Sequence, residues 1–343
     1  MSKKNYLDIN TNMWTRTIGR LARHSSRYAT QQRMKATKID GKAIGQAVRD
    51  EIKVEVEEMI REKGEIAKPG LAVVMVGARA DSATYVNMKE KASEDLGFHS
   101  VKKLLDVETS EEELLNVVET LNADETIDGI LVQLPLPKHI SQKRILEAIS
   151  VDKDVDGFHP YNMGQLARVG EELRQRRDGT EFSYRVAANN ACTPLGCIEL
   201  LDRSGVDLNG ANVVVLGRSN IVGLPVSLML MHRNATVTLV HSRTKDIPSV
   251  VKAADGVIAA IGQPEFVKGD WIKEGAVVID VGVNFKDAPE RKSGKKMCGD
   301  VDYAAASEVA SQITPVPGGV GPMTIAMLMR NTVENAKRRL GMK

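Results

Sequence analysis

The sequence predicts an α/β protein made of two parallel-sheet units. Three observations predict it. Short runs rich in Val, Ile and Leu, bounded by Gly and Pro, alternate with longer amphipathic stretches. That strand–helix–strand order implies parallel strands joined by right-handed crossovers. A highly charged stretch at 168–190 interrupts the alternation midway, after which it resumes.

In the first unit, Leu71–Val76 follows Pro69-Gly70 and reads as a buried strand. Ser82 to Leu96 has helical patterning and stops at Gly97. His99–Val107 suits a strand. Ser110 caps the next helix, to about Asn122, with Glu113 placed for a capping box. Gly129–Gln133 is another buried strand, and Gln142–Ile149 a short helix. In the second unit, Thr193-Pro194 opens a helix reaching about Asp202, with Pro early in the first turn. Asn212–Leu216, Thr236–Val240, Gly256–Ala260 and Ala276–Asp280 read as strands, and Leu224–Arg233 as a helix. Met323–Leu340 is an amphipathic helix after a Pro/Gly-rich loop. Residues 168–190 are expected to be a surface loop or insertion beside a domain boundary.

With 343 residues, 42% of them apolar, the chain can bury a core without disulfides or structural metal. A net charge of +2 excludes a global basic field for nucleic acid. No apolar run approaches the roughly 18 residues of a membrane span. Three cysteines without a CxxC pair, and six scattered histidines, point to neither a disulfide framework nor a metal site.

The charge is unevenly placed. Residues 1–38 hold nine Lys/Arg against one acid, Asp8. On a helix, Arg16, Arg20, Arg23 and Arg27 fall within about 60° of one another, opposite Trp14, Ile18 and Leu21. An Arg-rich, acid-poor amphipathic head is the pattern of a transit peptide. Residues 1–36 are therefore expected to be a transit peptide or disordered, with the mitochondrial matrix preferred over the chloroplast. A basic arm touching nucleic acid or lipid is the alternative.

Five motifs carry chemistry. Gly217-Arg218-Ser219, continuing to Gly223, lies between a buried strand and a helix, where glycines admit a ligand and free amides favour an anion. Alone it is equally an ordinary tight turn. After the next strand, dinucleotide sites that take NAD usually place an acid on the ribose 2′-hydroxyl. Here the residues are His241-Ser242-Arg243. A hydroxyl and two cations, Arg218 and Arg243, suit a 2′-phosphate and hence NADP; solvated surface arginines are the alternative. Tyr85 and Lys89 share a helical face at i, i+4, as many surface pairs do. Gln133 ends a buried strand before Leu134-Pro135, where parallel strands face a ligand crevice; a satisfied buried amide would look the same. Asp156-Gly157 is a carboxylate in a turn. Thr314–Thr324 packs three Gly and three Pro into eleven residues, too many for a casual connection.

Together, in this order and spacing, the five motifs resemble the bifunctional methylenetetrahydrofolate dehydrogenase/methenyltetrahydrofolate cyclohydrolase family, in its mitochondrial type. The likeness runs from about Ala36 to the C-terminus. It implies two α/β lobes with a cleft between, the second a Rossmann-type dinucleotide-binding domain. Residues 37–160 would form the folate-binding catalytic domain, completed by helix 322–343, and 161–321 the NAD(P)-binding domain. The implied activity is NADP-linked oxidation of 5,10-methylenetetrahydrofolate and hydrolysis of the methenyl product to 10-formyltetrahydrofolate. Lys89 is then the catalytic lysine, Gln133 its polarising neighbour, Tyr85 a folate-stacking residue and Asp156 a ligand of the pterin. Pro317, Gly318 and Gly319 would line the folate site. Gly217, Arg218, Ser219, Gly223, Ser242, Arg243, Ile261, Gly282 and Val283 would contact the cofactor. No metal ligand is implied.

The resemblance also implies a homodimer, a folate substrate that is polyglutamylated, and no nucleic-acid or membrane partner. Residues 168–190 are longer than the family's usual connection. An NAD-preferring member assisted by magnesium and phosphate, a member with dehydrogenase activity alone, and a non-catalytic folate or nucleotide binder are the competing readings. A different Rossmann dehydrogenase would leave Gln133 and the Pro317 loop unexplained.

Overall fold

The structure is a computed structural model that describes residues 35–168, 189–289 and 294–342. The basic head and most of the charged 168–190 stretch, on which the transit-peptide and insertion expectations fall, lie outside those residues. The strands are β1 (Thr37–Lys38), β2 (Gly70–Val76), β3 (His99–Leu105), β4 (Gly129–Val132), β5 (Asn212–Leu216), β6 (Thr236–Val240), β7 (Gly256–Ala259), β8 (Val277–Asp280), β9 (Asn284–Asp287), β10 (Lys295–Cys298) and β11 (Gln312–Ile313).

Two parallel sheets organise the fold. The smaller has the order β3-β2-β4 and the larger β1-β11-β8-β7-β5-β6. Strands β2 and β4 are buried along their whole length, as strands covered on both faces must be. From β2 in the smaller sheet and from β5 in the larger, the chain adds the next strand on one side, then crosses back to the other. The order reverses between β2 and β4, and between β5 and β7. Ligands of open parallel sheets bind at the carboxyl ends of such switch points. The larger sheet thus has the expected Rossmann-type arrangement. Its β1 precedes the smaller sheet in sequence, so the chain passes through the larger sheet first.

Local chemistry fixes the helices. Helix Glu111–Ala123 carries the expected capping box: Ser110 Oγ accepts from the Glu113 amide at 3.2 Å, and Glu113 Oε2 accepts from the Ser110 amide at 2.8 Å. Helix Ala80–Asp95 ends at Leu96 before Gly97, as its patterning requires. Helix Gly41–Lys63 is one element the sequence reading omits. Asp40 caps it by accepting from the Lys42 and Ala43 amides, and Val48, Ile52, Val56 and Met59 form its buried stripe. The antiparallel pair β9–β10 and the two-residue β11 are likewise additions.

Helix Val320–Leu340 packs against helices Gly41–Lys63 and Cys192–Arg203 in the largest core cluster. It also returns to the smaller sheet. Asn335 donates to the Asp128 carbonyl at 2.9 Å, and Arg339 Nε to the Asp128 carboxylate at 2.7 Å. The opposite faces of the two sheets are covered separately, the smaller by helices Glu111–Ala123 and Gln142–Ala148.

Candidate active site

Lys89 is buried on the face of helix Ala80–Asp95 that also carries Tyr85 one turn earlier. Its Nζ donates to Gln133 Oε1 at 3.0 Å. Gln133 is held from two sides: its backbone amide donates to the Val74 carbonyl at 2.8 Å, and its side-chain NH2 to the Leu134 carbonyl at 2.9 Å. The amide therefore turns its oxygen to the lysine. Gln133 stands at the carboxyl end of β4, at the switch point, and Lys89 reaches it from the helix that follows β2.

Burial pushes the Lys89 ammonium below its ordinary value, opposed by the charge of Asp156 and, more weakly, by Cys192. Asp156 is raised to about 6, chiefly by desolvation; Lys89 pulls it down and Asp154 pushes it up. Tyr85 is half-buried and its phenol is raised by desolvation. Burial disfavours the charged form of both an amine and an acid, so Lys89 and Asp156 move toward each other.

Three residues to which the sequence reading gives no role build this centre. Asp154 is buried and accepts from the His159 amide at 2.8 Å and from Asn162 at 2.9 Å, which shapes the turn presenting Asp156. Cys192 Sγ donates to the Val155 carbonyl at 3.1 Å, and burial raises its thiol well above the usual range. Asn331, from the last helix, donates to the carbonyls of Val155 at 2.8 Å and Asn190 at 2.9 Å. Single buried Asp, Cys and Asn residues carry no spacing signal.

The Thr314–Gly319 loop is anchored at both ends. Thr314 Oγ1 accepts from the Asp280 amide at 2.7 Å. Gly318 and Gly319 lie against Lys42 and Gly41 at the start of helix Gly41–Lys63. Pro317, Gly318 and Gly319 thus sit on that helix rather than in the hydrogen-bonded Lys89–Gln133 pair.

A separate pocket of about 320 Å³ opens at the carboxyl ends of β5, β6 and β7, the second switch point. Gly217, Arg218, Ser219, Ser242 and Ile261 line it. Gly217 has φ 112°, and a side chain there would strike the Ala260 carbonyl oxygen at 2.1 Å. Ser219 Oγ accepts from the Val222 and Gly223 amides, closing the loop onto helix Gly223–His232. Arg243 is exposed one residue beyond the lining, its amide donating to His241 Nδ1 at 3.1 Å. Gly223, Gly282 and Val283 do not line this pocket; Gly282 is buried and Val283 exposed. A glycine cradle, two exposed guanidiniums and no acid at the end of β6 fit a dinucleotide carrying a 2′-phosphate.

Comparisons with known proteins show the family. Residues 39–156 match the family model "Tetrahydrofolate dehydrogenase/cyclohydrolase, catalytic domain", and residues 191–340 the model "Tetrahydrofolate dehydrogenase/cyclohydrolase, NAD(P)-binding domain". The bifunctional protein FolD 2 of Arabidopsis thaliana is 55% identical over 88% of this chain and 96% of its own. The chloroplastic bifunctional protein FolD 4 of the same plant is 51% identical over 88% of this chain and 79% of its own. The solved methylenetetrahydrofolate dehydrogenase-cyclohydrolase of Trypanosoma brucei, complexed with NADP cofactor and inhibitor, superposes with a TM-score of 0.81 at 42% identity, covering 90% of this chain and 99% of that one. The two matched ranges contain, respectively, the Lys89–Gln133 pair and the Gly217 loop. The chain belongs to the tetrahydrofolate dehydrogenase/cyclohydrolase family.

Proposed function

We propose that the chain oxidises 5,10-methylenetetrahydrofolate to the 5,10-methenyl form and hydrolyses that to 10-formyltetrahydrofolate, with Lys89 serving chiefly the hydrolysis. The observation that carries the reading is a buried lysine held by a locked glutamine oxygen, 3.0 Å away. Gly217, Arg218 and Ser219 would hold NADP, which would supply the acceptor for the hydride of the one-carbon bridge. That step asks the protein for alignment more than for a base. Water addition to the resulting cationic carbon needs proton traffic. A neutral Lys89 donates one N–H to Gln133 and keeps its lone pair for the proton of the attacking water. Asp156 and Tyr85 hold the pterin, and the Pro317–Gly319 loop closes the folate site. Arg218, Ser242 and Arg243 select the 2′-phosphate.

The test supplies the full chain with 5,10-methylenetetrahydrofolate and either NADP, or NAD with magnesium and phosphate. Reduced nicotinamide and methenyl-folate are followed separately against an enzyme-free hydrolysis control. Reduced NADP with little methenyl-folate is expected. Methenyl-folate accumulating one-for-one with reduced cofactor would remove the hydrolytic role of Lys89. A faster NAD reaction would assign Arg218 and Arg243 to a phosphate ion instead.

The domain boundaries that suit this reading are 37–160 and 161–321, with 322–343 returning to the first; the Asn335 and Arg339 bonds to Asp128 support the return. The assembly is a homodimer. In support, β6 is an edge strand without an outer strand partner among the described residues. The amphipathic Arg-rich head directs the chain to the mitochondrial matrix, where folates are polyglutamylated. A fluorescent fusion of residues 1–36 should mark mitochondria; plastid labelling would overturn that assignment. Among the described residues no helix is long and apolar enough to cross a membrane.

A further inference from the structure

We propose that Asp300 is a positioning residue for the dinucleotide pocket, holding the loop on which the cofactor rests. The inference builds on the reading that NADP occupies the pocket at the ends of β5, β6 and β7.

Asp300 is fully buried, and among the described residues it forms no salt bridge with Lys or Arg. A buried carboxylate needs compensation, and here four N–H donors supply it. Its Oδ2 accepts from the Ile261 amide at 2.6 Å and the Gly262 amide at 3.0 Å. Its Oδ1 accepts from the Gln263 amide at 2.9 Å and the Asn284 side chain at 2.8 Å. Three successive amides turned onto one carboxylate form an anion nest, filled by the protein's own side chain.

Two of those amides belong to residues that line the pocket, Ile261 and Gln263. The carboxylate also fills the space beside Gly282, where a Cβ would meet Asp300 Oδ1 at 2.2 Å. Asp300 is fixed in turn by its own amide, which donates to Asp280 Oδ1 at 2.8 Å. Asp280 Oδ1 also accepts from the Gly282 amide at 3.1 Å. Segments 261–263 and 282–284 are thus fastened to one point behind the pocket wall.

This arrangement divides the labour of the pocket. The 261–263 amides are spent on Asp300 and cannot hold phosphate. The loop offers the ligand the apolar side chain of Ile261 instead, a surface for a ring rather than for an anion. Phosphate recognition falls to Gly217–Ser219 and Arg243.

The experiment uses three full-length variants: Asp300→Asn, Asn284→Ala and Arg218→Ala. For each, the KM for NADP is measured in the dehydrogenase reaction. Hydrolysis of methenyl-folate is measured without nucleotide, as a readout of an intact fold and folate site. Asp300→Asn should raise the KM for NADP about tenfold or more, because small misplacements of a binding loop are costly, with hydrolysis within about twofold of the parent. Asn284→Ala removes one donor but keeps the carboxylate, so it should raise that KM by about severalfold; it also serves if Asp300→Asn does not fold. Arg218→Ala tests the pocket itself. If it raises the KM while folded Asp300→Asn and Asn284→Ala leave it unchanged, the role of Asp300 is overturned and the pocket stands. If Arg218→Ala leaves it unchanged as well, the pocket reading fails and the inference with it. Hydrolysis falling in parallel with dehydrogenation would make Asp300 a general structural residue, and would also overturn the proposal.

Discussion

Lys89 and Gln133, 44 positions apart in sequence, meet at 3.0 Å with only one possible orientation of the amide. The Gln133 NH2 is taken by the Leu134 carbonyl, so the lysine always faces an acceptor. That geometry holds an N–H of the amine and leaves its remaining valence to the substrate side.

Replacing Lys89 with Met should therefore separate the two reactions. Methenyl-folate hydrolysis should fall by about 100-fold or more, the usual scale for a general acid–base group. Hydride transfer should survive at least in part. A coupled assay would show methenyl-folate accumulating; equal loss of both activities in a folded variant would contradict the assignment.

Asp156→Asn should move the pH dependence of hydrolysis. The Asp156 charge stabilises protonated Lys89 and so opposes the lowering by burial. Without that charge the lysine loses its proton more easily. The acidic limb of the kcat profile should shift to lower pH, with the KM for folate raised. An unmoved limb would mean that Lys89 is not the titrating group.

The Lys89 site was half legible in sequence. Its strands were visible because both faces of β2 and β4 are buried, leaving unbroken apolar runs. The Ser110 cap was visible because its donor and acceptor lie three residues apart. Helix Gly41–Lys63 was missed although Val48, Ile52, Val56 and Met59 repeat at helical spacing, because charged residues outnumber them along the segment. Strand β11 has only two residues, too short for any period to register. Asp154, Asp280 and Asp300 act on backbone amides, which every residue type provides, so no partner residue announces them.

Arg218→Gln and Arg243→Gln should lower preference for NADP over NAD. Each removes a cation suited to the 2′-phosphate, and each is exposed. The expected rise in KM for NADP is about tenfold at low salt and smaller as ionic strength increases. KM for NAD should change little. Steady-state kinetics at two salt concentrations checks both statements.

Gly41→Ala should loosen the folate loop. A methyl group there would sit 1.8 Å from the Gly319 carbonyl oxygen, which is backbone and must shift. Overpacking of this kind costs about 1–3 kcal/mol. Thermal denaturation should show a lowered Tm, and the KM for folate should rise more than the KM for NADP.

The last helix, Val320–Leu340, has a consequence for biosynthesis. Its Asn335 and Arg339 clasp Asp128, whose carboxylate also accepts from the Gly70 amide at the start of β2. The three-stranded sheet is therefore finished by residues made 207 and 211 positions after Asp128. Domains generally fold as units during translation, but this one must wait until Asn335 and Arg339 have been made. A chain interrupted before Asn335 would leave the three-stranded sheet without its closing helix and hand an unfinished domain to the chaperones.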